Sequence, residues 1–159
     1  MNTNLTSELY LRILDQLPNP IWRAGIDAKC NFFNKAWLAF TGRTAEQEMG
    51  NGWAEGVHKN DFDACLKTYQ DAFAKKQPFQ MEYRLKHKDG TYHWILDIGS
   101  PFFDSSGIFL GYIGSCYDIN ASKQHVSEVE KLNKIMIDRE LKMITLKKQV
   151  ESLQKQLKP

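Results

Sequence analysis

The stretch EYRLKHKDGTYHWI, residues 82–95, constrains the fold more than any other part of the chain. Aromatic and aliphatic residues alternate with polar ones on both sides of Lys88-Asp89-Gly90. Glycine accepts the positive φ that a tight turn requires, and such a turn between alternating segments is typical of a β-hairpin. We therefore predict two antiparallel strands here, followed by a third that contains GYIGSCYDIN, residues 111–120.

Three consecutive strands are predicted at residues 79–87, 91–103 and 108–119. In the first of them Phe79, Met81 and Tyr83 alternate with polar residues, which indicates one buried face. The second and third strands carry apolar residues on both faces, so both faces of the sheet must be covered. We expect internal helices to cover one face, and the N-terminal helix or a partner subunit to cover the other.

The N-terminal part is predicted to be helical before it enters the sheet. Leu5, Leu9, Ile13 and Leu17 are four residues apart, which favours an amphipathic helix that ends at Pro18-Asn19-Pro20. Two short strands, at residues 20–26 and 29–33, and a helix over 34–40 follow.

Two further helices are predicted inside the globule. Thr44 and Gln47 have the spacing of a capping box. Apolar residues at three- and four-residue intervals predict a helix over 60–76, with Asn60 or Asp61 as its cap and Pro78 beyond its end.

Residues 121–159 have a different character. They contain no Gly and no aromatic residue, and they carry nine basic and five acidic side chains. A heptad repeat places eight apolar residues in nine seam positions, which predicts a coiled coil and hence self-association. The seam consists of Val129, Leu132, Met136, Arg139, Met143, Leu146, Val150, Leu153 and Leu157.

Composition excludes several classes of protein. No apolar run is long enough to cross a membrane, and the N-terminus has no secretory signal, so we expect a cytoplasmic protein without membrane insertion. Three widely spaced cysteines give no disulfide framework or metal-ligand spacing, and we predict no metal site. The basic residues of the tail are not concentrated ahead of the heptads, which disfavours nucleic-acid binding.

Several motifs together resemble the PAS family of sensor domains. NKAWLAFTG (34–42), Trp53 with Val57-His58 and Asp61, the segment from Tyr83-Arg84 to Trp94, and Asp118-Ile119-Asn120 are similar to the family's motifs. Lys59 and Asn120 depart from the family's usual Pro and Thr. The tail resembles the helical connector that follows PAS domains in bacterial histidine kinases and related receptors.

The resemblance implies an α+β chain with the PAS fold: a five-stranded antiparallel sheet with helices on one face, an N-terminal cap helix (1–18), the sensor domain (19–120) and a coiled-coil signalling helix (121–159). It implies a sensory and dimerisation module of a two-component system, the input part of a histidine kinase or similar receptor. No nucleophile and base set indicates an enzyme. The alternative is a structural homodimerisation module with a filled core.

The resemblance also implies a small-molecule ligand between the sheet and the helices. The aromatic and thiol side chains predicted to line that pocket are Trp37, Phe40, Trp53, Phe62, Cys65, Tyr69, Met81, Tyr83, Trp94, Leu96 and Cys116. Their alternative role is to fill the core, and a buried thiol is the simpler interpretation of Cys116. The ligand itself is left unidentified.

Haem and flavin are both disfavoured as cofactors. The helix over 60–76 carries no histidine for haem, and His58, just before it, fits a structural role better than an axial one. The cysteine motif of light-sensing flavin relatives has no counterpart in the sequence.

Arg84, Asp118 and Asn120 are predicted to relay a signal from the sheet to the outgoing helix. We expect an ion pair between Arg84 and Asp118, with exposed and independent charges as the alternative. Asn120 takes the place of the family's threonine and can cap the helix.

Overall fold

A computed structural model describes the backbone of residues 3–156 and the side chains of residues 8–153 and 155. The side chain of Leu5 and all of Leu157, both part of the predicted patterns, lie outside this description. In chain order the elements are α1 (Thr3–Gln16), β1 (Ile21–Ala24), β2 (Cys30–Phe33), α2 (Lys35–Thr41), α3 (Ala45–Glu48), a 3₁₀ turn (Gly52–Gly56), α4 (Phe62–Lys75), β3 (Phe79–Lys86), β4 (Tyr92–Phe103), β5 (Phe109–Asp118) and α5 (Asn120–Gln156).

The five strands form one antiparallel sheet in the order β2-β1-β5-β4-β3. The predicted hairpin is the β3–β4 pair, in which Tyr83 lies opposite Ile95. Gly90 has a φ of 89° at the turn, a conformation that a side chain would strain. The predicted fold class, with helices on one face of a five-stranded sheet, is confirmed.

A pair of glycines lets aromatic rings lie directly on the inner face of the sheet. Gly99 and Gly114 are opposite each other on β4 and β5. A Cβ at Gly114 would stand 2.1 Å from the Trp22 indole, and one at Gly99 would stand 2.3 Å from the Phe79 ring. Trp22 and Phe79 therefore occupy the space that two side chains would fill, and their stacked rings are 6.1 Å apart.

Asn34 joins three elements at one buried point. Its Oδ1 accepts from the backbone N–H of Trp37 in α2 and from that of Ile21 in β1, at 3.0 and 2.9 Å. Its Nδ2 donates to the carbonyls of Leu14 and Asn19, each at 3.0 Å. The N-cap of α2 thus also fixes the end of α1. The predicted capping box of α3 is present as well.

Burial confirms the alternation predicted for β3, in which Phe79, Met81, Tyr83 and Leu85 face the core. On β4 the buried residues are Ile95, Asp97 and Gly99, so the neighbouring even-numbered positions face outward. Helix α4 covers the inner face with Cys65, Tyr69 and Ala72. The core therefore lies between the helices and one face of the sheet.

Helix α1 buries only one of its described side chains. Leu14 is 7% exposed, whereas Leu9 and Ile13 are 58% and 55% exposed. Helix α1 meets α2 through the carbonyl of Leu14 and through Asp15, which accepts from the backbone N–H of Lys35. Most of its apolar stripe is left open.

The chain divides into two compact units, residues 1–120 and 121–159. The second consists of most of α5, an unbroken helix whose described large apolar side chains are all at least half exposed. No helix of the described residues is both long enough and apolar enough to cross a bilayer.

Candidate functional site

A small cavity lies between the inner face of the sheet and the helices. It offers about 10 Å³ to the centre of a water-sized sphere, which is about the minimum for one water molecule. Most of its lining is aromatic or sulfur-containing. The lining residues are Trp22, Cys30, Phe33, Trp37, Trp53, Tyr69, Met81, Tyr83 and Asp97.

Asp97 is the one acidic residue of that lining and is only 2% exposed. Its Oδ1 accepts from Trp22 Nε1 at 2.9 Å, and its Oδ2 accepts from the Tyr83 hydroxyl at 3.3 Å. Burial raises the pKa of Asp97 to about 6, although hydrogen bonds from Trp22, Cys116 and Tyr83 act in the opposite direction. The carboxyl group therefore titrates close to neutral pH inside an apolar core.

A second cavity-lining residue, Trp53, has a hydrogen-bond donor without a partner in the described part of the chain. Trp53 Nε1 is buried and has no hydrogen-bond partner among the described residues. A buried donor without a partner costs free energy, which a water molecule or a ligand oxygen could recover. The cavity wall thus contains an acceptor group, Asp97, and at least one unpaired donor, Trp53 Nε1.

The three cysteines are buried free thiols. Burial raises the pKa of Cys65 to about 12 and raises those of Cys30 and Cys116 as well. A thiol held protonated in this way is a poor nucleophile and a poor metal ligand. Cys116 lies opposite Asp97 and hydrogen-bonds with its carboxylate, which acts to lower the pKa of Asp97.

Of the residues predicted to line a pocket, Trp37, Trp53, Tyr69, Met81 and Tyr83 do line the cavity. Cys65 and Cys116 are buried in the same core without lining it. These seven residues come from β3, β5, α2, α4 and the 3₁₀ turn. The structure therefore brings most of the predicted group together.

Four residues of the predicted pocket are placed elsewhere. Trp94 and Leu96 face the opposite side of the sheet, because β4 turns Ile95 and Asp97 inward. Phe40 packs against the rings of His87 and His93 instead. Phe62, at the start of α4, is 37% exposed.

Sequence reasoning missed Trp22, Cys30, Phe33 and Asp97 in the cavity wall. The signal for Asp97 was its position two residues after Ile95, on the same face of β4. A carboxylate within an apolar strand is costly to bury, and such a cost is frequently a sign of function.

The predicted ion pair between Arg84 and Asp118 does not form. Arg84 binds Asp61 in a bidentate manner, with distances of 2.8 Å for Nε to Oδ2 and 2.7 Å for Nη2 to Oδ1. Asp61 also accepts from the Arg84 backbone N–H, which leaves it without a capping role for α4. These hydrogen bonds lower the pKa of Asp61.

Asp118 pairs with a histidine at the end of the sheet. Its Oδ2 is 2.8 Å from His93 Nδ1, and its Oδ1 accepts from the backbone N–H of Asn120 at 2.9 Å. Asn120 is the first residue of α5, and the Ile119 N–H donates to the Trp94 carbonyl. Asp118 and Asn120 therefore meet at the sheet exit, whereas Arg84 belongs to the α4 side.

None of the four histidines lines the cavity. His58 does not line the cavity; its Nδ1 accepts from the Asn60 N–H and its ring lies against Tyr92. His87, Asp89 and His93 come together at the β3–β4 turn, although we predicted no metal site there or elsewhere.

Comparison with known proteins identifies the family. The profile of the PAS fold matches residues 31–116, which is more than half of the chain. The chain therefore belongs to the PAS family, and its globular part is a PAS sensor domain, a class of sensory rather than catalytic domains.

The chain is similar to parts of longer proteins. The uncharacterized protein y4lL of Sinorhizobium fredii (strain NBRC 101917 / NGR234) is 40% identical over 119 residues, which span 75% of this chain and 14% of that protein. The peroxide stress-activated histidine kinase mak1 of Schizosaccharomyces pombe is 23% identical over 133 residues, 78% of this chain and 8% of the kinase. The chain thus spans only a small part of these relatives.

Solved structures share the fold at low sequence identity. The PAS domain of a protein from Colwellia psychrerythraea superposes with a TM-score of 0.60 at 20% identity, over 73% of this chain and 98% of that chain. A likeness at this identity shows the fold alone.

Proposed function

We propose that this chain is a sensory and dimerisation module in which the state of the core around Asp97 is transmitted to the pairing of α5. The observation that carries the proposal is the position of Asp97. It lies opposite Cys116 on β5, and two residues farther along β5 is Asp118, where the sheet ends. The carboxyl group in the cavity wall is therefore on the strand next to β5, and β5 leads into the outgoing helix.

The route from the core to α5 is short and hydrogen-bonded. Ile95 on β4 lies opposite Asp118 on β5, and the Trp94 carbonyl accepts from the Ile119 N–H. A shift of β4 relative to β5 at Asp97 would change these contacts directly. A signal that alters helix pairing requires only about 1–3 kcal/mol of differential free energy.

The cavity favours a ligand of very few atoms. Binding pockets for drug-sized ligands occupy several hundred Å³, whereas this cavity is near the size of one water molecule. Asp97 supplies a hydrogen-bond acceptor and Trp53 a donor, so a small polar molecule matches the wall. A larger ligand would require the aromatic side chains to move apart.

The proposal includes a parallel homodimer formed by α5. Val129, Leu132, Met136, Met143, Leu146, Val150 and Leu153 share the heptad seam and are each at least half exposed. An isolated helix of this composition leaves its seam in water, and a second copy would cover it. The open stripe of α1, with Leu9 and Ile13, is the proposed second contact.

The proposed biological role is the input of a histidine kinase or a similar receptor. The similarity of the chain to one segment of a histidine kinase supports this role. That segment is 8% of the kinase, as expected for one module of a longer receptor. A cytoplasmic location is part of the proposal, and the three free cysteines support it.

The alternative is a structural dimerisation module without a ligand. The small cavity favours it, because a nearly filled core needs no bound molecule. The two proposals differ in one respect: a purely structural module would keep the same helix pairing whatever the state of Asp97.

Native mass spectrometry of the purified chain tests the proposal. We expect a dimer, with extra mass from a small molecule that is reduced in Asp97→Asn and retained in Asp63→Asn. Asp63 is an exposed carboxylate in the first turn of α4, so it makes the same charge change outside the core. A dimer without extra mass in any of the three proteins would favour the structural alternative, and a monomer would contradict the proposed pairing.

A further inference from the structure

A cluster of metal-binding side chains lies at the β3–β4 turn, apart from the Asp97 cavity. His87, Asp89 and His93 each present a potential ligand atom, and these three atoms lie within 4.8 Å of one another. None of the three residues lines the cavity that contains Asp97. Two imidazoles and a carboxylate are a ligand set that suits zinc and neighbouring divalent transition metals.

The turn holds Asp89 in place through its neighbours. Asp89 Oδ1 accepts from the Thr91 N–H at 2.8 Å and from the Thr91 hydroxyl at 2.7 Å. The other oxygen, Oδ2, is 3.1 Å from His87 Nδ1. One carboxylate oxygen is therefore held by Thr91 and the other lies beside His87.

The two histidine rings are held together by packing. They are stacked with centroids 4.6 Å apart and an angle of 21° between their planes. Phe40 makes edge-to-face contacts with both rings, with centroid distances of 4.9 Å to His87 and 5.7 Å to His93. This arrangement restricts the rotamers of both imidazoles before any ion is bound, which lowers the entropic cost of binding.

Asp118 acts on His93 from the other side. Its Oδ2 is 2.8 Å from His93 Nδ1, the geometry in which a carboxylate orients a metal-binding histidine. A hydrogen bond at Nδ1 leaves Nε2 of the same ring as the coordinating atom. Asp118 is thus suited to a positioning role and not to direct coordination.

We propose that His87, Asp89 and His93 bind a divalent transition-metal ion of the zinc type, with Asp118 as the positioning residue. Zinc takes nitrogen and oxygen ligands at about 2.0–2.2 Å, so the three atoms must approach to about 3.3 Å of one another. The side chain of Asp89 is 51% exposed at the turn and can make this movement. Water would complete the coordination.

Access and charge both bear on the affinity. His87 lies in the walls of two open surface depressions, one of which also contains Asp118. Lys88 lines both depressions, Arg43 and Lys86 line the second, and these cations oppose the binding of a metal ion. Asp89 and Asp118 offset that charge, and we expect micromolar affinity rather than the much tighter binding of a structural zinc site.

Titration of the full chain with Zn²⁺ by calorimetry tests this proposal, with the visible absorption of Co²⁺ as a second measurement. We expect one ion per chain and an affinity at least tenfold lower in His93→Gln and in Asp89→Asn. Asp118→Asn should weaken binding about 10- to 100-fold, as expected for an outer-shell carboxylate. His125→Gln, in the exposed part of α5, should bind as the unchanged chain does.

Circular dichroism of each variant establishes that it is folded, and Asp89→Asn keeps the oxygen that accepts from Thr91. The proposal is overturned if the unchanged chain binds no Zn²⁺, or if His93→Gln and Asp89→Asn bind it with unchanged affinity. A thiolate-to-cobalt absorption band would also overturn it, because it would assign the metal to a cysteine. Loss of Asp97 should leave this binding intact, so the outcome is independent of the proposed sensing by the core.

Discussion

Asp97 and Cys116 lie directly opposite each other on β4 and β5, both buried, with the thiol hydrogen-bonded to the carboxylate. The inner face of the sheet therefore carries two ionisable groups side by side, a carboxyl group on β4 and a thiol on β5. Trp22 and Tyr83 complete the hydrogen bonds of Asp97 from β1 and β3. Side chains from β1, β3 and β5 thus hydrogen-bond to one carboxylate on β4.

The stability of the chain should depend on pH through Asp97. Its pKa is about 6 in the folded chain against an ordinary value of 3.8, so the folded state holds the proton more tightly and stability decreases as pH rises through this interval. The full effect is about 3 kcal/mol, of which about 1 kcal/mol falls between pH 5 and 8. Urea unfolding at these two pH values measures it.

Asp97→Asn should remove this dependence, because the amide has no charge to desolvate. Asp63→Asn, at an exposed position, should keep the slope of the unchanged chain. Equal slopes in all three proteins would show that Asp97 does not titrate in this range.

Gly114→Ala should destabilise the domain. Its Cβ would stand 2.1 Å from the Trp22 indole, and the strand and the ring would have to separate. Overpacking of this kind costs about 1–3 kcal/mol. Ser115→Ala, at the next and half-buried position, is the matched control and should be close to neutral in thermal unfolding. A variant as stable as the control would mean that Trp22 does not pack on the glycine pair.

Asn34→Ala should cost more than the loss of an ordinary helix cap. It removes the α2 cap, leaves the Ile21 N–H without its partner and removes the hydrogen bonds that Nδ2 donates to the carbonyls of Leu14 and Asn19. We expect about 3 kcal/mol, against about 1 kcal/mol for Thr44→Ala, which removes only the α3 capping box. Equal losses in chemical denaturation would contradict the joining role of Asn34.

Leu9→Asp and Ile13→Asp should weaken the proposed dimer. Both side chains are more than half exposed in the single chain, so their replacement costs the monomer little. Burial of one such side chain contributes about 1.5–3 kcal/mol, so the dissociation constant should rise at least tenfold. Analytical ultracentrifugation measures it, with Gln16→Asp as the control on the same helix. An unchanged constant would remove α1 from the interface.

Local patterns predicted the fold well. The Lys88-Asp89-Gly90 turn, the alternation of β3 and the Thr44–Gln47 capping box all depend on neighbouring residues, and the structure confirms each of them. These features are determined by backbone conformation and by the side-chain period of a strand or helix. Length, order and type of the elements could therefore be predicted from the sequence.

Contacts between distant elements could be predicted only in part. The sequence alone does not show whether Arg84 pairs with Asp61 or with Asp118. The approach of α4 to β3 brings Asp61 to Arg84, whereas Asp118 pairs with His93. Trp94 and Leu96 were assigned to the pocket because they are apolar, yet the pleat of β4 directs them outward. The alternation of β4 places Trp94 and Leu96 on the face opposite Ile95 and Asp97, but apolar residues on both faces do not show which face the helices cover.

The central claim is that the state of Asp97 changes the pairing of α5. A spin label at Lys134→Cys on the exposed helix reports the distance between two copies, and the buried native thiols have raised pKa values that disfavour their labelling. We expect the distance distribution of Asp97→Asn to differ from that of the unchanged chain, and that of Asp63→Asn to match it. Identical distributions in all three proteins would contradict the coupling and leave the chain a structural dimerisation module.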